Sequence, residues 1–126
     1  MPSFVDPFDA VLTQFNLGPA LTGAQPHFHG DAWNALVYGR KQWFLHPPTR
    51  AFFADKGVRV IDWLIQNHQQ VCSEQSTNLH VDNEANSMEL TCTQEAGDVV
   101  YVPRLWGHAV LNLQLSVGAA VEFEQQ

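Results

Sequence analysis

The residues with the clearest capacity for chemistry form a His-x-His motif at His27 and His29. On a β-strand, residues i and i+2 point to the same face, so both imidazoles can bind one ion without backbone strain. Asp31 shares that face if the strand continues. Imidazole and carboxylate ligands together suit iron, zinc, manganese or nickel. A third ligand must come from elsewhere, and His108 is the candidate because it begins a late predicted strand.

Two nearby histidines alone are weak evidence for a metal site, since surface and hydrogen-bonded histidines are common. The other histidines carry less information. His80 and Asp82 form a His-x-Asp pair in a polar stretch, which we interpret as solvated. His46 and His68 are isolated, and we expect both to be structural.

Strands near both chain ends, with a helix between them, are predicted to position these residues. From His27 the chain is predicted to be extended, after a loop at residues 22–24. Residues 32–38 and 41–45 are rich in aromatic and branched side chains and are joined by a short turn containing glycine, which indicates a hairpin. Residues 58–71 have helix-like apolar spacing without Gly or Pro.

The remaining segments complete a coarse prediction of a small barrel or sandwich. Residues 7–16 are predicted as a short amphipathic helix, and the polar residues 73–87 as a surface loop. Four further strands are expected at 88–94, 98–103, 108–113 and 116–123.

Composition restricts the functional classes. The 126 residues suit one domain, and 45% of them are hydrophobic, enough for a core. A net charge of -7 argues against unaided binding to nucleic acid or to an anionic membrane. No apolar run approaches the ~20 residues of a membrane helix. Residues 1–9 lack a secretory pattern, so a cytoplasmic or nuclear location is expected.

Two longer segments, residues 27–45 and 92–113, resemble the two metal-binding segments of the JmjC family, in the family's order. This family belongs to the cupin superfamily, and the similarity is greater to its small hydroxylase-like members than to the large histone demethylases. The resemblance implies a mainly β double-stranded β-helix, the cupin or jelly-roll fold, with a helical insert. It implies one domain over residues 1–126, with a core at about 15–123.

Many JmjC proteins are oxygenases that depend on Fe(II) and 2-oxoglutarate, so the resemblance implies hydroxylation of a protein side chain or a small molecule. His27 matches the first metal histidine. His108 matches the distal one, which follows a Pro-x-x-Trp-x-His pattern. Lys41 matches the lysine that pairs with a carboxylate of 2-oxoglutarate. Asn34 and Asn112 match polar positions that line the cosubstrate pocket.

Position 29 departs from the family, which has a carboxylate there. In one hypothesis His27, His29 and His108 form the metal site and Asp31 orients an imidazole, an arrangement that some cupins use without 2-oxoglutarate. In another, His29 and Asp31 form the His-x-Asp motif, completed by His108. The third alternative is a degenerate site in a non-catalytic module that binds metal or another protein.

The start of the chain is a second departure. JmjC domains carry strands before the segment that matches residues 17–19, and few residues precede it here. The resemblance therefore implies an N-terminally incomplete barrel, with unpaired backbone at a sheet edge unless a partner chain covers it. A homodimer is accordingly left open. The expected partner is a protein or small-molecule substrate, with neither nucleic acid nor membrane.

Overall fold

The structure is a computed structural model that describes residues 10–55, 57–72 and 88–124. A short 3₁₀ helix at Pro48–Arg50 and one α-helix, α1, interrupt a chain of strands. The strands of this described part are β1 Ala10–Gly18, β2 Gly23–His27, β3 Asp31–Tyr38, β4 Arg40–His46, β5 Leu90–Glu95, β6 Val99–Val102, β7 Gly107–Asn112 and β8 Ser116–Phe123, and α1 spans Val60–Cys72.

The strands form two antiparallel four-stranded sheets, ordered β1-β8-β3-β6 and β2-β7-β4-β5. Eight strands in two sheets whose neighbours are mostly distant in sequence are the architecture of a jelly roll. The predicted mainly β jelly roll with a helical insert is therefore confirmed. At the N-terminal end, β1 pairs along its length with β8 and forms one edge of the first sheet.

Strand β7 is buried at every residue, which shows that both faces of its sheet are covered. On one face, Ala109 and Leu111 pack against Trp63 and Leu64 of α1. On the other, Val110 packs inside the barrel with residues of β4 and β6. Because side chains alternate along a strand, the intervening residues of β7, including His108, point into the barrel.

The predicted helix at residues 7–16 is wrong where the structure describes it, since residues 10–18 form β1. Register with β8 runs from Leu12 opposite Glu122 to Gly18 opposite Ser116. The apolar spacing that indicated a helix also fits a strand of this length, and pairing with β8 decides between them. The predicted loop at residues 22–24 is similarly wrong, because β2 begins at Gly23.

The predicted hairpin is also wrong, although both of its strands exist. β3 pairs with β6 and β8, whereas β4 pairs with β5 and β7, so the two consecutive strands lie in different sheets. Gly39 makes the crossing with φ of 99°, and a Cβ there would lie 2.4 Å from the carbonyl oxygen of Leu115. Local turn chemistry predicted a turn but could not predict which strands would pair.

The middle helix and the four late strands were predicted close to their observed bounds. α1 begins at Val60 instead of Val58, and β5 begins at Leu90 instead of Met88. The predicted loop at residues 73–87 lies outside the described residues. In the described part of the chain, α1 is too short and too polar for a membrane-spanning helix.

Candidate metal centre

Strand pairing brings the first two candidate ligands together. β2 and β7 are neighbours, and their register places His27 directly opposite His108. The two ring centroids are 4.1 Å apart. His29 follows the end of β2, in the connection to β3, and its ring lies edge-on to that of His108 with centroids 4.7 Å apart. The sequence prediction that one strand carries both His27 and His29 is therefore wrong.

The connection that carries His29 is held by the turn between β6 and β7. The backbone N–H of Leu105 donates a hydrogen bond of 2.9 Å to the carbonyl oxygen of His29. Leu105 adopts a φ of 65°, a left-handed conformation that costs a non-glycine residue about 1 kcal/mol or more. That strained turn therefore fixes the backbone at the second histidine.

Each of the three imidazoles is oriented by a backbone carbonyl. Nδ1 lies 2.7 Å from the oxygen of Gln25 in His27, 2.9 Å from that of Gly30 in His29, and 3.0 Å from that of Trp106 in His108. A carbonyl oxygen only accepts hydrogen bonds, so each Nδ1 carries the proton. In its neutral form each Nε2 then bears a lone pair, the form in which imidazole binds metal.

The lone pairs converge. Nε2 of His29 lies 3.1 Å from Nε2 of His108, and the ligand atoms of all three histidines lie within 4.8 Å of one another. With both Nδ1 atoms protonated, neither of these Nε2 atoms has a hydrogen to donate to the other. Two imidazole nitrogens about 2.0–2.1 Å from one ion would lie roughly 3 Å apart, so the cluster fits a metal ion.

Burial lowers the pKa of two of the three histidines, His27 and His108. Burial, together with repulsion from His27 and His29, lowers the pKa of His108 from 6.5 to about 3. Burial also lowers the pKa of His27 below its usual value, against a rise caused by its hydrogen bond to Gln25. Metal binding needs deprotonated ligands, so at pH 7 the imidazole of His108 does not have to lose a proton.

Asp31 lies outside this group. Its Oδ1 accepts a hydrogen bond of 2.7 Å from the hydroxyl of Tyr101 and one of 2.9 Å from the backbone N–H of Arg104. The expectation that Asp31 orients an imidazole is therefore corrected, because its carboxylate joins the start of β3 to β6 and the following turn. The same hydrogen bonds count against Asp31 as the alternative carboxylate ligand.

The three histidines lie in the wall of a cavity of about 380 Å³ inside the barrel. Lys41, Asn34 and Asn112 line the same cavity, so the structure brings all the predicted cosubstrate residues together with the histidines. Lys41 and Asn112 are directly opposite each other on β4 and β7. The carboxamide of Asn34 is partly engaged, since it accepts a long hydrogen bond from Gln94 at 3.4 Å.

Lys41 is a buried cation without a counter-ion. Its side chain is 6% exposed, and burial lowers the pKa of its ammonium group. Among residues 10–55, 57–72 and 88–124, no carboxylate pairs with it and no acceptor takes a hydrogen bond from it. Burying a charge is costly unless it is paired, so the cavity fits an anionic ligand at this point.

Two further polar atoms of cavity residues are buried without a hydrogen-bond partner in the described structure. They are Nδ2 of Asn16 and Oδ1 of Asn112. Buried polar groups are normally satisfied, so these atoms fit a ligand or water in the cavity. Sequence reasoning missed Asn16 because the segment that forms β1 was predicted as a helix. Trp33 packs with Val121 and Phe123 in a buried hydrophobic cluster.

Glu122 is the other cavity residue that the sequence analysis missed. It lies opposite Ala32 of β3, and its Oε1 is 3.3 Å from the backbone nitrogen of Gly30 and 4.0 Å from Nδ1 of His29. The sequence feature that could have identified Glu122 is an acidic residue between two apolar ones, Val121 and Phe123, near the end of a predicted strand. Its significance depends on the facing strands, which the sequence pattern does not identify.

The other candidate histidines do not join the site. His46 is buried and pairs through Nε2 with Glu89 at 2.7 Å, so its role within the described residues is the structural one expected. The pair His80 and Asp82 lies outside the described residues, and so does the side chain of His68.

Comparison with known proteins identifies the class. Residues 22–123 match the family described as "JmjC domain, hydroxylase", so the chain belongs to the JmjC family. It is 32% identical over 103 residues to JmjC domain-containing protein 8 of Mus musculus, covering 82% of this chain and 34% of that protein. It is 35% identical over 101 residues to 2-oxoglutarate and iron-dependent oxygenase JMJD4 of Homo sapiens, covering 76% and 23%.

A solved structure confirms the fold at lower sequence similarity. YcfD, a ribosomal oxygenase from Escherichia coli in complex with cobalt and 2-oxoglutarate, superposes with a TM-score of 0.56 at 15% identity. The match covers 90% of this chain and 23% of YcfD. The chain thus spans about a third or less of the length of these relatives.

Proposed function

We propose that this chain is the metal- and cosubstrate-binding core of an Fe(II)- and 2-oxoglutarate-dependent oxygenase. The substrate would be a protein side chain or a small molecule. The observation that carries the proposal is the pair of facing Nε2 atoms, 3.1 Å apart, on imidazoles whose Nδ1 atoms are bonded to backbone carbonyls. Similarity to a protein named as a 2-oxoglutarate and iron-dependent oxygenase supports the choice of metal and cosubstrate.

In this proposal His27, His29 and His108 hold the ion, and their carbonyl partners keep the rings from rotating. Such outer hydrogen bonds fix the tautomer and raise the basicity of a metal-binding imidazole. Bound iron with 2-oxoglutarate supplies oxidative chemistry with O₂ that protein side chains alone do not provide. Histidine binds a metal ion as a neutral imidazole, so these three ligands would not reduce the positive charge of the ion.

Lys41 is proposed to bind a carboxylate of 2-oxoglutarate. An ammonium group donates strong, charge-assisted hydrogen bonds to a carboxylate, and the bound anion would remove the cost of burying Lys41 unpaired. The cavity offers a further donor in the unpaired Nδ2 of Asn16. These groups lie on strand interiors, so they are held in place before the ligand arrives.

The alternative function is a non-catalytic module that binds metal or another protein, and His29 is the observation that favours it. A histidine replaces the family's carboxylate at this position, and the ligand set therefore departs from that of the oxygenases. The two functions differ in a simple measurement. An oxygenase consumes O₂ in a reaction that requires 2-oxoglutarate, and a non-catalytic module consumes none. A dioxygenase with three histidines would consume O₂ without 2-oxoglutarate.

The first experiment is an anaerobic Fe(II) titration of the chain with and without 2-oxoglutarate, following the visible charge-transfer band of the ternary complex. We expect a band that requires both Fe(II) and 2-oxoglutarate and that is lost in Lys41→Ala. Arg40→Ala is the matched control, because it removes an exposed cation, paired with Glu95, one residue away. Iron binding without the band would reject the 2-oxoglutarate part of the proposal. Failure of the folded chain to bind iron would reject the metal site.

Several predictions from the sequence remain predictions. They are the cytoplasmic or nuclear location, the single domain over residues 1–126, the homodimer, and the exclusion of nucleic acid and membrane as partners. The cavity favours a small anionic cosubstrate.

A further inference from the structure

Glu122 is an acidic side chain on the inner face of the barrel, where it lines the cavity. Its neighbours in β8, Val121 and Phe123, are buried in a hydrophobic cluster with Trp33, whereas Glu122 lines the cavity that contains the histidines. Within the described part of the chain, Glu122 has no Lys or Arg partner, and its ion-pair contact is with His29. A partly buried carboxylate normally needs compensation by a cation or by hydrogen bonds.

The contacts of Glu122 are concentrated around His29, the one histidine of the three that does not lie in a β-strand. Oε1 accepts from the N–H of Gly30 at 3.3 Å, and the carbonyl oxygen of that same Gly30 accepts from Nδ1 of His29 at 2.9 Å. Oε1 also lies 4.0 Å from that Nδ1. Glu122 therefore holds the residue that orients His29, and it places a negative charge behind the ring.

Gly30 permits this approach. A Cβ at position 30 would lie 3.3 Å from Oε1 of Glu122, so a side chain there would press against the carboxylate. The connection after β2 is not fixed by sheet pairing at His29, unlike the backbone at His27 and His108. Besides the ring contact of Phe28 with Phe53, hydrogen bonds from Leu105 and to Glu122 tie this connection to distant parts of the chain.

We propose that Glu122 is a positioning residue of the metal site, which supplies from β8 the negative charge that position 29 itself lacks. The inference rests on the proposed metal site. The carboxylate acts through His29 and is not itself a ligand, because it lies on the Nδ1 side of the ring, whereas the converging atoms are Nε2. A carboxylate behind a metal-binding imidazole raises its basicity, and loss of such a partner typically weakens metal affinity 10- to 100-fold.

Two substitutions separate charge from shape. Glu122→Gln keeps the size of the side chain and an oxygen for the N–H of Gly30, but it removes the charge. Glu122→Asp keeps the charge on a shorter side chain. Glu124→Gln is the matched control, because it removes an equal charge from an exposed position two residues along the chain.

The probe is Co(II), titrated into the metal-free chain by calorimetry. We expect Glu122→Gln to weaken the Kd for Co(II) about tenfold, Glu122→Asp to bind more tightly than Glu122→Gln, and Glu124→Gln to match the wild type. The thermal unfolding midpoint of metal-free Glu122→Gln should equal that of the wild type, and the d–d bands of the two saturated Co(II) forms should coincide.

An unchanged Kd in Glu122→Gln would overturn the inference while leaving the metal site intact. So would binding by Glu122→Asp that is no tighter than binding by Glu122→Gln. Altered d–d bands in the saturated Gln variant would show that Glu122 is a direct ligand, and would overturn its role as a positioning residue. If the folded wild-type chain binds no Co(II), the proposed metal site fails and this inference fails with it.

Discussion

The two ends of the cavity differ in how their polar groups are satisfied. At the histidine end, each imidazole already has a backbone partner on Nδ1, and only the Nε2 atoms await a ligand. At the lysine end, the ammonium of Lys41, Nδ2 of Asn16 and Oδ1 of Asn112 lack partners in the described structure. The imidazoles at the histidine end are therefore oriented before a ligand binds, whereas the polar atoms at the lysine end gain hydrogen-bond partners only when a ligand binds.

The free-energy cost of burying polar groups before a ligand binds therefore differs between the two ends of the cavity. Neutral imidazoles can be buried cheaply because their protons are shared with carbonyls. A buried ammonium carries a penalty that persists in the ligand-free protein. The histidine end is thus built to bind a cation without rearrangement, whereas the lysine end gains stability when an anion arrives. Substitutions at the two ends should accordingly have opposite effects on the ligand-free fold.

The largest effect is expected for His108→Ala. It removes the central imidazole of the cluster and should abolish stoichiometric Fe(II) or Co(II) binding, with Kd weakened by about 100-fold or more, since that ligand cannot be replaced from β7. Calorimetric titration of the metal-free variant would measure this. His46→Gln is the control, since it alters a buried histidine that does not line the cavity. Wild-type stoichiometry in His108→Ala would place the metal elsewhere.

The second prediction concerns acid sensitivity at the histidine end. The pKa of His108 is about 3 in the folded chain and 6.5 when unperturbed, so unfolding takes up a proton between these values. Stability from this group is present above pH 6.5 and is lost as the pH falls toward 3. Between pH 7 and pH 5 the metal-free protein should lose about 2 kcal/mol of unfolding free energy through this residue.

Urea denaturation at the two pH values, with a chelator present, would test the acid sensitivity. Between pH 7 and pH 5, His108→Ala should lose about 2 kcal/mol less unfolding free energy than the wild type. Equal losses in the two proteins would mean that His108 is not protected from protonation in the folded state.

The third prediction concerns a substitution at the lysine end of the cavity. Lys41→Met should weaken 2-oxoglutarate binding about tenfold or more, because a charge-assisted hydrogen bond is worth roughly 1.5–3 kcal/mol. The same change should raise the unfolding midpoint of the ligand-free protein. Burial lowers the pKa of Lys41, so its protonated form opposes folding at pH 7. Calorimetry and thermal unfolding measure the two effects. An unfolding midpoint of Lys41→Met at or below that of the wild type would contradict the cost assigned to burying the unpaired ammonium.

The smallest effect is expected for Asp31→Asn. The carboxylate accepts hydrogen bonds from Tyr101 and Arg104 and is not among the converging ligand atoms, so metal affinity should change by less than about threefold. Stability should fall by about 1 kcal/mol as a charge-assisted hydrogen bond to Arg104 is weakened. Co(II) titration and urea denaturation would measure both. A loss of metal comparable to that of His108→Ala would restore Asp31 as a ligand.

The comparison of the two ends also shows which residues the sequence pattern could locate. His27, His29, Lys41 and His108 occur in two segments whose resemblance to one family placed them in a common site. Glu122 and Asn16 belong to β8 and β1, where no motif marks them. Their place in the cavity depends on pairing between the two chain ends, which local spacing cannot encode.

The sequence alone determined the residue types that suit a metal and an anion, the helix between the strand groups, and the mainly β jelly roll implied by family resemblance. Only the tertiary structure decided that β3 and β4 lie in different sheets, that residues 10–18 form a strand, and that Asp31 faces away from the imidazoles. The physical reason is that strand partners and register are set by contacts between distant segments. Those same contacts bring His27 opposite His108 and Glu122 behind His29.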